Sequence, residues 1–133
     1  MEFEHFGAGT SSQSFNYLYN APSFYNVYTG INEGCYYKKE IDITGNNKYS
    51  AYLKAIVKGG ACKIILSFYN SDSLIKEISS EELNTSHNND SIVFLNGDFP
   101  HNANKVVFNI KIYAKSEDGY SESIIMDYGF TMF

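Results

Sequence analysis

Between Lys48 and Lys58 the chain reads K-Y-S-A-Y-L-K-A-I-V-K. Tyr49, Ala51, Leu53, Ala55 and Val57 fall on one side of a period-two pattern, and Ser50, Tyr52, Lys54, Ile56 and Lys58 on the other. Side chains alternate between the faces of a strand, so this run predicts a strand with one face buried. The same rule applies from Cys62 to Tyr69, with Cys62, Ile64, Leu66 and Phe68 inward. It applies again from Asn104 to Lys115, with Val106, Phe108, Ile110, Ile112 and Ala114 inward. Looser patterns predict strands at Tyr36–Ile43, Leu74–Ile78, Ser91–Phe99 and Ser121–Phe133. Phe15–Tyr19 and Phe24–Thr29 are strand candidates in an N-terminal third with little clean periodicity. Turn chemistry separates the runs: Gly45-Asn46-Asn47, Gly59-Gly60, Asn70-Ser71-Asp72-Ser73 and Ser116-Glu117-Asp118-Gly119. The one helical signal is a short turn over 79–83, with Ser79 or Ser80 as its cap. Short strands at even spacing and almost no helical period predict an all-β antiparallel β-sandwich, a jelly roll, formed by residues 1–133 as one domain.

Composition narrows the function. Hydrophobic residues make up 44% and aromatics 17%, so the chain has the apolar surface to fold. A net charge of −5 with no basic cluster argues against nucleic acid as a partner. No run reaches the roughly 18–20 apolar residues of a membrane-spanning helix, and Met1-Glu2-Phe3-Glu4-His5 lacks the layout of a secretory signal. Cys35 and Cys62 sit in strand contexts that suggest small buried hydrophobes; one disulfide is the alternative. Neither has a second Cys or a His at metal-ligand spacing.

Catalysis finds no motif. His5, His87 and His101 are not near a nucleophile in the sequence, and the acid pairs Glu81-Glu82 and Glu117-Asp118 read as solvated turn charges. There is no Gly-rich phosphate loop and no H-E-x-x-H. The chain is therefore expected not to be an enzyme. What stands out is a polar and aromatic sheet face. Tyr52, Lys54, Tyr69, Asn109, Lys111 and Tyr113 all take the outward phase of their strands. A sugar ring offers apolar C–H faces and a rim of hydroxyls, which exposed tyrosines and Asn or Lys would meet respectively. The same residues also suit an ordinary solvated face, since Tyr is a good strand former. Tyr25 and Tyr28 are candidates for a loop site in the aromatic N-terminal region.

One ordered set of phrases goes further. Tyr37-Lys38-Lys39-Glu40-Ile41-Asp42-Ile43 precedes Lys48-Tyr49-Ser50-Ala51-Tyr52-Leu53-Lys54, followed by Ile64-Ile65-Leu66-Ser67-Phe68-Tyr69-Asn70-Ser71-Asp72. Then come Asp98-Phe99-Pro100, Ala103-Asn104-Lys105-Val106-Val107-Phe108 and Ile125-Met126-Asp127-Tyr128. Over roughly residues 36–130 the succession resembles the galactose-binding-like jelly roll, in the branch of xylan- and glucan-binding carbohydrate modules, with similar domains in phage tail proteins. The resemblance implies non-catalytic binding of a polysaccharide or oligosaccharide, a catalytic domain on the same polypeptide as partner, and an extracellular or cell- or virion-surface location. The alternative it leaves is a structural or adhesion domain of a phage tail or cell-surface assembly without a glycan. It also implies a structural Ca²⁺ between the N-terminal segment and the last strand, with Glu4 and Asp127 as ligands. Two departures stand: the chain has no Trp, the usual sugar platform of such modules, and Tyr128 occupies the position of the second acid in the closing phrase.

Overall fold

The computed structural model describes residues 1–133. Eleven strands form: β1 Glu2–Phe6, β2 Thr10–Asn16, β3 Ala21–Val27, β4 Gly34–Asp42, β5 Lys48–Gly59, β6 Ala61–Asn70, β7 Ser73–Ser79, β8 Leu83–Asn84, β9 Ile92–Asp98, β10 Lys105–Tyr113 and β11 Ser121–Met132. They make two antiparallel sheets. The first has the order β1-β4-β10-β6-β7, with β8 also on β6; the second has the order β2-β3-β11-β5-β9. The chain crosses between them repeatedly, from β4 to β5, β5 to β6, β9 to β10 and β10 to β11, which is the winding of a jelly roll.

Period two decides what enters the core. Ala51, Leu53 and Ala55 from β5 meet Cys62, Ile64, Leu66 and Phe68 from β6 and Val106, Phe108, Ile110 and Ile112 from β10, all buried. Aromatic rings fill the wider gaps between the sheets. Tyr49 lies 5.4 Å from Phe68 and 5.3 Å from Phe99, and Phe24 lies 4.9 Å from Tyr37. Each fully buried ring or branched aliphatic contributes about 1.5–3 kcal/mol through water exclusion.

The β5–β6 corner needs its glycines. Gly60 has φ +66°, and a Cβ there would come within 2.3 Å of the Tyr113 carbonyl oxygen. That closeness lets the chain leave one sheet and enter the other in two residues.

Two expectations change. The segment 79–83 is not helical: Ser79 ends β7, and Leu83–Asn84 forms the short β8 against Ala61 and Cys62. A strand pairing on the exposed edge of β6 competes successfully with a single helical turn, which has too few hydrogen bonds to nucleate. The residues 17–19 belong to the turn between β2 and β3 rather than to a strand. There the Asn16 side chain accepts the Tyr19 amide at 3.1 Å. Cys35 and Cys62 are the small buried residues that their strand contexts suggest, and both are free. Each pairs with Ile112 from opposite sides, which puts two strand spacings of about 4.8 Å between them and excludes a disulfide. Burial pushes both thiols up to about 12.

Candidate functional site

The outward face of the first sheet carries a groove of about 710 Å³. Its floor is made by Ile65 and Ser67 of β6 and Val107 and Asn109 of β10. The register stacks these in rows: Lys38, Asn109 and Ile65 in one, Glu40, Val107 and Ser67 in the next. Tyr36 on β4 and Tyr69 on β6 stand at diagonal corners, and Glu77 of β7 closes the far side. Ser67 and Asn109 point out of the sandwich yet are nearly inaccessible, at 5% and 8%.

Polar groups in the groove are held in place by one another. Asn109 Nδ2 donates to the carbonyls of Ile65 at 3.2 Å and Val107 at 3.3 Å, which fixes the orientation of its side chain. Ser67 donates to Glu77 at 2.9 Å. Lys38 pairs with Glu4, and Lys105 with Glu40 at 3.8 Å. Tyr36 rests one face on Phe6, with centroids 4.5 Å apart and planes 20° from parallel. Burial, then the Glu77 and Glu4 carboxylates, raise its phenol above the usual tyrosine range. The Lys105 ammonium sits 5.1 Å from the Tyr69 ring centre. The site thus combines rings held by packing with carboxylate, amide and ammonium groups, the set that a hydroxyl-rich ligand uses.

The sequence-derived residues divide between two surfaces. Tyr69, Asn109, Lys111 and Tyr113 belong to the first sheet's outer face, whereas Tyr52 and Lys54 are on β5, in the second sheet on the opposite side of the sandwich. The expected single face that joins them does not form. Tyr52 lies flat on Gly129, where an added Cβ would come 2.4 Å from the ring, and it donates its hydroxyl to Asp127 at 3.0 Å. Lys54 pairs with Asp90 at 3.8 Å. Tyr113 points outward but is only 4% exposed, so it offers no free ring: Lys63, Lys111 and Glu82 cover it. Tyr25 is exposed on β3 with its ring edge-on to Tyr120, and Tyr28 is an 83% exposed loop residue at φ 60°. Neither borders the groove.

Glu4 and Asp127 do not share an ion. Glu4 is on β1 in the first sheet and is held by Lys38; Asp127 is on the outer face of the second and accepts from Tyr52. No three His, Cys, Asp or Glu side chains converge anywhere in the chain. Calcium needs six to eight oxygens, so these residues do not fit it. Sequence reasoning missed Tyr36 and Glu77 as site residues, while Ser67 was legible as an outward polar residue of its strand. The signal was present for Tyr36: Cys35, Tyr37 and Ile41 take the inward phase, which sends Tyr36, Lys38 and Glu40 out.

No protein-family model matches the chain, and no curated protein is similar to it in sequence. Solved structures match it in fold. The enzymatically active domain of bacteriophage CBA120 tailspike protein 4 superposes with a TM-score of 0.61 at 13% identity, over 98% of this chain and 19% of that one. The CBM22-1–GH10 modules of Clostridium thermocellum xylanase 10B, solved with xylohexaose, superpose with a TM-score of 0.59 at 13% identity, over 98% and 26%. A CBM4 structure gives 0.59 at 12%, over 96% and 81%. The chain spans under a third of the first two. At such identities the likeness is one of fold, and a fold hosts many ligands. The chain is an antiparallel β-sandwich with the jelly-roll fold of carbohydrate-binding modules, a fold also found in a phage tailspike.

Proposed function

We propose that this domain binds a polysaccharide without cleaving it, and that the groove on the outer face of the first sheet is the seat. The observation that carries the reading is the groove itself: about 710 Å³, preformed, with Tyr36 and Tyr69 at its corners and Asn109, Ser67, Glu77 and Lys38 along it. Stacking of C–H faces on the two rings and hydrogen bonding to the polar groups would hold a sugar chain laid across the strands. Tyrosine gives a smaller platform than tryptophan, so affinity is expected to be modest.

In this reading the domain works outside the cell or on a virion surface and brings an attached catalytic domain or particle to its glycan.

The test is affinity electrophoresis of the chain through xylan, β-glucan and galactan, compared with Tyr36→Ala. Retardation by one of them, lost in the variant, supports the reading; free migration of the wild type through all would overturn it. A structural role in a larger assembly is favoured by one other feature. Ile92 and Phe94 of edge strand β9 are 41% and 58% exposed on the second sheet's outer side. Light scattering that shows a stable oligomer, dispersed by Phe94→Ser, would support packing through that side.

A further inference from the structure

Lys63 and Lys111 are directly opposite one another on β6 and β10, on the outer face of the first sheet. Like charges at such cross-strand positions, with Cβ atoms about 5 Å apart, cost stability. Both ammoniums gather over one ring: Lys63 is 5.5 Å and Lys111 4.8 Å from the centre of Tyr113. Lys111 is also 5.5 Å from the Phe6 ring centre, so it is walled by aromatics on two sides.

Carboxylates are plentiful in this chain, with 15 Asp and Glu against 10 lysines. Lys38, Lys48, Lys54, Lys105 and Lys115 each have one within 4 Å; Lys63 and Lys111, like Lys39, Lys58 and Lys76, do not. The acids nearby are committed elsewhere. Glu77 accepts from Ser67, Glu4 pairs with Lys38, and Glu82 takes Lys115 and the Tyr113 hydroxyl. Burial and then the Lys63 charge pull the Lys111 ammonium below the usual lysine range, an effect only partly offset by Glu77. Two cations have thus been placed together, partly dehydrated, with no carboxylate within 4 Å of either. A protein tolerates such a local cost where a ligand supplies the missing charge.

Their position says which ligand. Lys111 is two residues from Asn109 on β10 and opposite Tyr36 on β4, both of which line the groove. We propose that Lys63 and Lys111 form an anion seat at the end of the groove, and that the glycan bound there carries an acidic group, a carboxylate or a sulfate, that reaches it. The inference rests on the carbohydrate-binding reading and adds the class of saccharide. An anion between the two ammoniums would relieve their repulsion and make charge-assisted hydrogen bonds to both.

The experiment runs the intact chain, Lys63→Gln and Lys111→Gln through gels containing neutral polysaccharide (xylan, β-glucan, galactan), uronate polymer (polygalacturonate, alginate) or sulfated polymer (carrageenan). Each is run at low and high salt, with melting temperatures measured in parallel. The expected result is stronger retention by one acidic class, screened by salt, and about tenfold weaker in each variant. Both variants should melt no lower than the wild type, since each removes a repulsion. Uronate and sulfate arms separate the two sources of negative charge. Retention by neutral chains that equals or exceeds retention by acidic ones, unaffected by Lys63→Gln, would overturn the anion seat and leave glycan binding intact. Failure of every polymer to retard the wild type would overturn both. Acidic retention that persists in both variants would show that the charge is read elsewhere and also refutes the seat.

Discussion

The Tyr113 hydroxyl donates to Glu82 Oε2 at 2.5 Å, and Lys115 donates to the other oxygen of the same carboxylate at 2.6 Å. Tyr113 comes from β10 and Glu82 from the segment just before β8, so this pair pins the crossing over the sheet's outer face. Tyr113→Phe removes the hydroxyl but leaves the ring under the two lysines. The expected cost is about 1–2 kcal/mol in urea unfolding, as for a hydrogen bond to a charged acceptor.

The same contact sets a pH dependence. Lys115 and then Tyr113 depress the folded-state affinity of Glu82 for its proton. A carboxyl whose folded pKa lies below its unfolded one contributes stability that is fully present above the unfolded value, about 4.3, and is lost as pH falls through the folded one. Melting temperatures of the wild type and Glu82→Gln should therefore differ most near neutrality and converge in acid. A gap that stays constant from pH 7 to pH 3 would show that the carboxylate's charge is not what holds this crossing.

Tyr36 and Tyr52 separate two surfaces that the sequence had merged. Tyr36 borders the groove, and Tyr52 lies on Gly129 across the sandwich. Tyr36→Ala should weaken glycan binding by about 1–2 kcal/mol, since it deletes a packed ring. Tyr52→Ala should leave binding unchanged. Titration calorimetry with the best-retained oligosaccharide makes the comparison, and the opposite ranking would move the site to the second sheet.

That merging shows where a sequence stops being informative. Alternation in β5, β6 and β10 fixed which residues of each strand turn inward, because only one face of each can be dry. It carried no record of which sheet a strand joins. The jelly roll sends β5 to one sheet and its chain neighbour β6 to the other, so Tyr52 and Tyr69 part although both are outward. Burial on an outer face was equally hidden: Tyr113 and Asn109 take the outward phase and are still covered, Tyr113 by Lys63, Lys111 and Glu82 from neighbouring strands and the segment before β8. The first 34 residues gave little because β1 and β2 are edge strands with mostly solvated side chains, and their pattern has only one neighbour to satisfy.

Gly34 begins β4 where that strand meets β10. A Cβ there would sit 2.1 Å from the Ile112 carbonyl oxygen and 2.9 Å from Asn26 Nδ2. Both obstacles are fixed, one as backbone inside a sheet and the other as a buried amide. Gly34→Ala should cost about 1–3 kcal/mol or more by forcing the strands apart. Gly45→Ala is the control for glycine loss alone: nothing lies within 4 Å of its Cβ position, though its φ of +67° carries a strain of its own. Equal melting temperatures for the two variants would argue against the close approach at Gly34.

Asn26 is fully buried and ties the two sheets together. Its Nδ2 donates to Ser121 Oγ at 2.7 Å and to the Ile112 carbonyl of β10 at 3.2 Å, while its Oδ1 accepts from Ser11. Asn26→Asp keeps the shape but replaces the donating amide by an oxygen. At neutral pH a carboxylate would face the Ile112 carbonyl with no hydrogen to offer and no cation to pair with, at a cost of about 3 kcal/mol or more. Burial without a partner raises the folded pKa of such a carboxyl, and protonation returns one donor. The sign is therefore opposite to that at Glu82: the variant's deficit relative to wild type should shrink as pH falls toward 4. Urea midpoints at pH 7 and pH 4.5 measure it, and a deficit that grows in acid would mean that the amide's role is packing rather than donation.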